Sequence, residues 1–210
     1  TTDDHRERRL TARQFVKAKT LSLSGALGRD DRSADRVFGA YLVDLDNFKR
    51  VNELYGHAAG DRALVRFSGK LSALVRDNDF VARWGGEEFL VVLNGATRGF
   101  FQSFPERVLN AFRADAFEVA DGVSYVQRVS IGCSTLPLDD RFPELLNLEQ
   151  TISVCDYALK LAKEGGMDRA AVVSLSASIE LTFEEARSGL RRFLADRRLE
   201  CEYLRVAFVR

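Results

Sequence analysis

From Val37 to Leu45 the chain reads V-F-G-A-Y-L-V-D-L, apolar at almost every position and rich in strand-forming residues, which predicts a strand buried on both faces. It ends in acid, at Asp44 and Asp46. N-F-K-R-V-N-E-L-Y-G then predicts a short helix closing on Gly56, and Leu64, Phe67, Leu71, Leu74 and Val75 mark the buried face of a longer one. F-V-A-R-W and E-E-F-L-V-V-L predict two strands joined through Gly85 and Gly86, a pair in which both turn positions can take positive φ. A helix around residues 100–114, a strand at Y-V-Q-R-V-S-I-G-C, a helix from about Leu148 to Lys163 and a strand at R-A-A-V-V-S-L follow. The order β-α-α-β-β-α-β-α-β contains a ferredoxin-like β-α-β-β-α-β kernel. The expected fold is α+β, an α/β sandwich with a central, mostly antiparallel five-stranded sheet flanked by helices.

The flanks have a different texture. Charged residues with scattered apolar positions (Leu10, Phe15, Val16) predict a helical lead-in over residues 1–20, then a loop. Beyond the main domain, taken as 21–176, residues 177–210 carry an amphipathic helix (Phe183, Ala186, Leu190, Phe193, Leu194) and an alternating strand, E-C-E-Y-L-R-V-A-F-V. This extension lies past the point where the sheet is expected to be complete, and reads as the start of a following domain or as a dimerisation arm.

Composition narrows the function classes. A chain of 210 residues that is 46% hydrophobic can bury a substantial core. Its 31 basic residues balance 31 acidic ones, which argues against a surface tuned as a whole to nucleic acid or acidic lipid, so anion handling must be local. Cys133, Cys155 and Cys201 are far apart and odd in number, suggesting neither a disulfide framework nor a zinc site, and a cytoplasmic setting is expected. No apolar run approaches membrane-spanning length, and T-T-D-D-H-R-E-R-R is too polar for a signal peptide. The absent initiator Met is read as a segment cut from a longer chain or as processing.

The kernel topology folds the hairpin beside the first strand, which is expected to bring Glu87 and Glu88 to Asp44 and Asp46. Four converging carboxylates need cations, and oxygen-only ligands without His or Cys select a hard ion such as Mg²⁺, held together with substrate phosphates. Taken singly, the two Asp residues could end a strand and cap a helix, and the Gly-Gly-Glu-Glu run could be a solvated turn; the predicted topology favours the metal reading. G-H-A-A-G-D at 56–61 is not a Walker A loop, and no G-x-G-x-x-G occurs. Phosphates are therefore assigned to the N-terminus of the helix after Asp46, with Lys49 adding charge. Asn52 and Asp61 could bracket a guanine; alternatively Asn52 is a surface helix residue.

The stretch L-V-D-L-D-N-F-K-R-V-N-E-L-Y-G-H-A-A-G-D, followed by R-D-N-D-F-V-A-R-W-G-G-E-E-F, resembles the GGDEF family of diguanylate cyclases in its G-G-E-E-F form, over about Leu23 to Val173. The resemblance implies a palm-like fold similar to nucleotidyl cyclases and a nucleotidyltransferase that condenses two GTP into cyclic di-GMP with release of two pyrophosphates. It also implies a homodimer in which each subunit presents one GTP to the other. Carried onto this sequence, Asp44, the Leu45 carbonyl, Glu87 and Glu88 would hold two Mg²⁺ ions, with Mn²⁺ as an alternative. Such a pair fits two-metal chemistry, one ion activating the 3′-hydroxyl and the other clamping the triphosphate. Glu87 is the key catalytic carboxylate, Asn52 and Asp61 read guanine, His57 is a substrate contact, and Phe48, Lys49 and Lys163 meet phosphates. Arg83 either stabilises phosphoryl charge or is a surface strand residue paired with an acid. Arg76 and Asp79 stand at the spacing of the family's R-x-x-D inhibitory site for cyclic di-GMP, although an Arg at a helix C-terminus also suits the helix dipole.

Two departures bear on activity. The family's G-R-N after the last helix is G-M-D here, so Met167 stands where an arginine helps to hold the triphosphate; Arg169 would share its face if this segment is strand. The lead-in motif lacks an acid at Leu21 and has Gly28 for Asn. Two classes therefore stay open, an active cyclase and a weak or silent module that binds GTP or cyclic di-GMP. No nucleic-acid partner and no membrane segment are expected.

Overall fold

A computed structural model describes residues 36–120, 122–176, 180–196 and 204–210. The expected lead-in helix, the loop after it with Leu21 and Gly28, and Cys201 lie outside the described residues. In chain order the elements are β1 (Arg36–Leu45), α1 (Phe48–Tyr55), α2 (His57–Ala73), β2 (Phe80–Gly85), β3 (Glu88–Thr97), α3 (Arg98–Arg113), β4 (Ala116–Ala120), β5 (Val123–Val126), β6 (Val129–Leu136), α4 (Leu148–Glu164), β7 (Ala170–Leu175), α5 (Phe183–Ala195) and β8 (Leu204–Val209).

The main sheet has the order β2-β3-β1-β6-β7-β8, antiparallel at every pairing except β6 with β7. Its first four strands have the ferredoxin-like arrangement, so the α+β expectation holds, but the sheet is six-stranded where five strands were expected. The extra strand is β8, which pairs with β7 from Ala170↔Val209 to Leu175↔Leu204. Ala186, Leu190 and Phe193 of α5 are buried in one cluster with Val154 and Ala158 of α4 and Val173 of β7. The open edge of β7 and the bare flank of α4 supply the surface that this helix and strand cover.

Strand parity decides what faces what. Tyr41, Val43 and Leu45 of β1 and Phe89, Val91 and Leu93 of β3 pack with Phe67 of α2 and with Phe104 and Phe112 of α3. Ala40, Leu42, Leu90 and Val92 face the other way, against Ile152, Cys155 and Leu159 of α4. Each large side chain so buried contributes roughly 1.5–3 kcal/mol. Asp44 and Glu88 have the parity of the α4 face. At Gly132 of β6 a Cβ would stand 2.0 Å from the Cys155 carbonyl oxygen and 2.2 Å from the Leu159 nitrogen, so only glycine lets α4 lie this close to the sheet. An Asn147–Gln150 capping box starts α4.

Two local expectations are corrected. The hairpin turn is Gly86–Glu87, because Gly85 already pairs with Glu88 across a bulge at Trp84; only Gly86 takes positive φ (51°), and Arg83 Nε donates to its carbonyl at 2.7 Å. The strand expected at Y-V-Q-R-V-S-I-G-C is split: Tyr125 and Val126 belong to β5 of a small β4–β5 hairpin, and β6 begins at Val129. Between them Gln127 turns inward and its Nε2 donates to the carbonyls of Asp46 and Arg128.

Candidate active site

β1 delivers Asp44 to the C-terminal end of the strand with only 3% of its surface exposed, directly opposite Glu88 in the β1–β3 register. Leu45 N donates to the Glu87 carbonyl at 3.4 Å, which draws the hairpin turn against the strand end. From the last turn of α4, Lys163 Nζ reaches Asp44 Oδ2 at 2.8 Å. Burial pushes the Asp44 carboxyl up to about 6; Lys163 pulls it down, and the charges of Glu87 and Glu88 push it further up. Asp44 thus has two acids beside it and Lys163 as the cation that offsets them.

Asp46 does not join this group, which corrects the expected convergence of four carboxylates. Its Oδ1 accepts from Ser130 Oγ at 2.7 Å, its Oδ2 from Asp168 N at 2.9 Å, its carbonyl from Gln127 Nε2 at 2.8 Å, and its N–H donates to the Arg128 carbonyl at 2.9 Å. Both oxygens are spent on neighbouring elements. Burial raises its pKa too, while Ser130 and the Asp168 amide act against that rise. Among the described residues no group of three or more His, Cys, Asp or Glu side chains stands ready to hold a metal. The oxygen-only set of Asp44, Glu87, Glu88 and the Leu45 carbonyl nevertheless fits a hard divalent ion in its chemistry.

Asn47, with φ 56°, opens α1 without a side-chain cap. Phe48 is buried in the core, so toward a phosphate it can offer only its backbone N–H. The Lys49 side chain is 87% exposed and pairs loosely with Glu53 at 3.5 Å. Gly56, at φ 82°, bends the chain between α1 and α2. There Asn52 packs on Gly60 so closely that a Cβ on Gly60 would stand 1.9 Å from its Oδ1. Asn52 is half-buried, and His57 and Asp61 are exposed at the start of α2. Arg83 is exposed beside the hairpin turn, its guanidinium held by the Gly86 carbonyl.

Segment 165–169 is a turn, not strand, so the premise that Met167 and Arg169 share a strand face does not hold. Met167 (φ 62°) and Asp168 (φ 46°) both have left-handed backbone. Met167 Sδ accepts from Asn47 Nδ2 at 3.6 Å, at the start of α1, while Arg169 Nε folds back onto the Met167 carbonyl at 3.0 Å.

Arg76 and Asp79 lie in the link between α2 and β2. The Asp79 carboxylate accepts from Arg76 N at 2.9 Å and from Asn94 N at 2.8 Å, so it staples this link to β3. The Arg76 guanidinium lies 5.1 Å from the Phe100 ring centroid, and Arg107 of α3 lies 5.2 Å from the same ring. The sequence reading missed Arg107, whose proximity depends on how α3 packs. It also missed Gly60, whose signal was present as a glycine inside a helical pattern, four residues after Gly56.

Fold and site together define a ferredoxin-like α+β domain with an acidic strand end, an acidic hairpin and a lysine brought over them by a helix. The chain belongs to the GGDEF family: the family model described as "Diguanylate cyclase, GGDEF domain" matches residues 10–169. It is 32% identical over 128 residues to diguanylate cyclase A of Treponema denticola, covering 61% of this chain and 33% of that protein. Among solved structures it resembles an EAL/GGDEF domain protein from M. capsulatus, at 33% identity and TM-score 0.54 over 70% of this chain and 90% of that one. It also resembles diguanylate cyclase SiaD of Pseudomonas aeruginosa, solved with its activator SiaC, at 29% identity and TM-score 0.59 over 73% of this chain and 56% of that one. The chain thus spans about a third of the length of the Treponema relative. No described helix is long and apolar enough to cross a membrane.

Proposed function

We propose that the chain is a diguanylate cyclase unit that condenses two GTP into cyclic di-GMP and two pyrophosphates, with the two substrates presented across a homodimer. The observation that carries the reading is the buried Asp44 carboxyl, opposite Glu88 and paired with Lys163, in a chain of this family. Asp44, the Leu45 carbonyl, Glu87 and Glu88 would hold two Mg²⁺ ions (or Mn²⁺), which would supply Lewis-acid activation of a 3′-hydroxyl and charge neutralisation at the triphosphate. Lys163, which pairs with Asp44 and has a side chain 36% exposed, would meet a phosphate from that side. The uncapped N-terminus of α1 and Lys49 receive phosphate oxygens. Asn52 and Asp61 bracket guanine, a carboxylate matching its donor face, and His57 lines the same side. Arg83 holds the turn that carries Glu87 and has guanidinium donors left for a phosphoryl group.

Arg76 and Asp79 serve as an inhibitory site for cyclic di-GMP, the Asp79 staple fixing the backbone from which Arg76 projects. Residues 21–176 form the cyclase unit, whose sheet edge α5 and β8 cover. The setting is the cytoplasm, where GTP is available, with no nucleic-acid partner and no membrane segment within this chain.

A second reading has its own observation. Met167 places a thioether at the start of α1 where the family has an arginine, which favours a module that binds nucleotide with weak or no turnover. Purified protein given GTP and Mg²⁺, beside Glu87→Ala, separates the two. Cyclic di-GMP from wild type alone supports the cyclase; equal silence with retained nucleotide binding leaves the module.

A further inference from the structure

Segment 165–169 holds an unfavourable conformation in which Gly166, Met167 and Asp168 have φ 113°, 62° and 46°. Non-glycine residues keep left-handed backbone only where their surroundings over-determine it. Here the determinants come from several elements. Asp168 N donates to Asp46 Oδ2 at 2.9 Å. The Asp168 carboxylate accepts from Arg113 Nε at 3.0 Å and from Arg128 Nη1 at 3.0 Å, and its carbonyl accepts from Arg113 Nη2 at 2.7 Å. On either side, Met167 N donates to the Ala162 carbonyl at 3.1 Å, and the Arg169 carbonyl accepts from Ile131 N at 2.9 Å. Asp168 is thereby bonded to the end of β1, the end of α3 and the link before β6.

Two consequences meet at one place. The same Asp46 that anchors Asp168 is fixed by Ser130 and Gln127 and immediately precedes Asn47. The turn that Asp168 holds presents Met167 to the Asn47 side chain. Asp168 therefore fixes both sides of the α1 N-terminus without standing at it. None of its bonds belongs to the β6–β7 register, which runs from Ile131↔Ala170 onward.

We propose that Asp168 is a positioning residue for the triphosphate end of the nucleotide site, acting through its bridge to Arg113 and Arg128 and its tie to Asp46. The inference rests on the nucleotide reading above and names the residue that sets its phosphate side. Met167 is the sequence's one methionine, which gives a direct reporter.

The test uses the 210-residue chain labelled with ¹³C at the methionine methyl, its signal assigned by loss in Met167→Leu, and titrated with a non-hydrolysable GTP analogue and Mg²⁺. Asp168→Gly keeps the left-handed backbone accessible and removes the side chain that carries the carboxylate. It is expected to shift the Met167 signal in the free protein and to weaken analogue binding about tenfold, the scale of a lost charge-assisted hydrogen bond. Asp168→Asn, which tolerates the same backbone and keeps one acceptor, should recover part of that affinity. Analogue binding to Asp168→Gly equal to wild type, or equal losses in both variants tracking a common drop in Tm, overturns the inference while the nucleotide reading stands. A wild type that binds no analogue overturns both.

Discussion

At the strand end Asp44 and Asp46 are buried and bonded to Lys163, Ser130 and the Asp168 amide, whereas at the α1–α2 junction His57 and Asp61 stand in solvent and Asn52 is set by its packing on Gly60. The first region is organised by electrostatics in a low-dielectric setting, where each carboxylate must have a partner. The second is organised by shape, since the helix bend at Gly56 and the missing Cβ of Gly60 decide where a small amide lies. Under the proposed function, chemistry at phosphates would fall to the first region and recognition of a base to the second.

The largest expected effect is at the strand end. Glu87→Ala should lower cyclic di-GMP formation by about 10³-fold, the scale at which a preorganised electrostatic contribution is lost. Time courses with GTP and Mg²⁺, with Tm unchanged, check it, and a loss of tenfold or less would deny Glu87 its role.

Next comes the scaffold that carries Lys163. Gly132→Ala would drive a methyl into the backbone of α4 at Cys155 and Leu159 and should cost about 3 kcal/mol, read from denaturant unfolding. A neutral result would mean that α4 can lift from the sheet, and the Lys163–Asp44 contact should then be lost.

The pH dependence of stability isolates Asp44. Its carboxyl is raised from 3.8 to about 6, so the folded chain binds that proton more tightly than the unfolded one. The resulting stability is fully present below pH 3.8 and is lost as pH rises through about 6. Without divalent ions, wild type should lose about 2 kcal/mol across that window relative to Asp44→Asn, whose curve is flatter. Parallel curves for the two proteins would refute the assignment.

The smallest predicted effect belongs to the base side. Gly60→Ala should displace the Asn52 amide and raise KM for GTP about tenfold with little change in kcat, because base recognition contributes binding without touching the reacting atoms. A fall in kcat with KM unchanged would place Asn52 among the residues that organise chemistry instead.

Much of this was legible along the chain. The central strands, helices α1 to α4 and the α+β class follow from apolar runs and helical spacing, because those patterns are imposed by burial. Asp44, Glu87 and Glu88 could be placed together from topology. The small β4–β5 hairpin was not found, although D-G between alternating residues was its signal; its short, largely exposed strands bury too little to leave a period. The hairpin turn was misplaced by one residue because a bulge at Trp84 has no sequence signature when either glycine could serve the turn. The five-strand expectation failed because whether an alternating strand joins a sheet depends on which edge is open, a property of β7 and not of β8.

The two acids of β1 mark the boundary between the kinds of information. Sequence by itself determined that acid would end the first strand, that the hairpin would bring more acid to it, and that the chain resembles the GGDEF family. Only the tertiary structure decided that Asp44 meets Glu88 and Lys163 while Asp46 turns to Ser130 and Asp168. A carboxylate's role is set by which donors surround it, and those donors come from α4, β6 and the 165–169 turn, each far away in the chain.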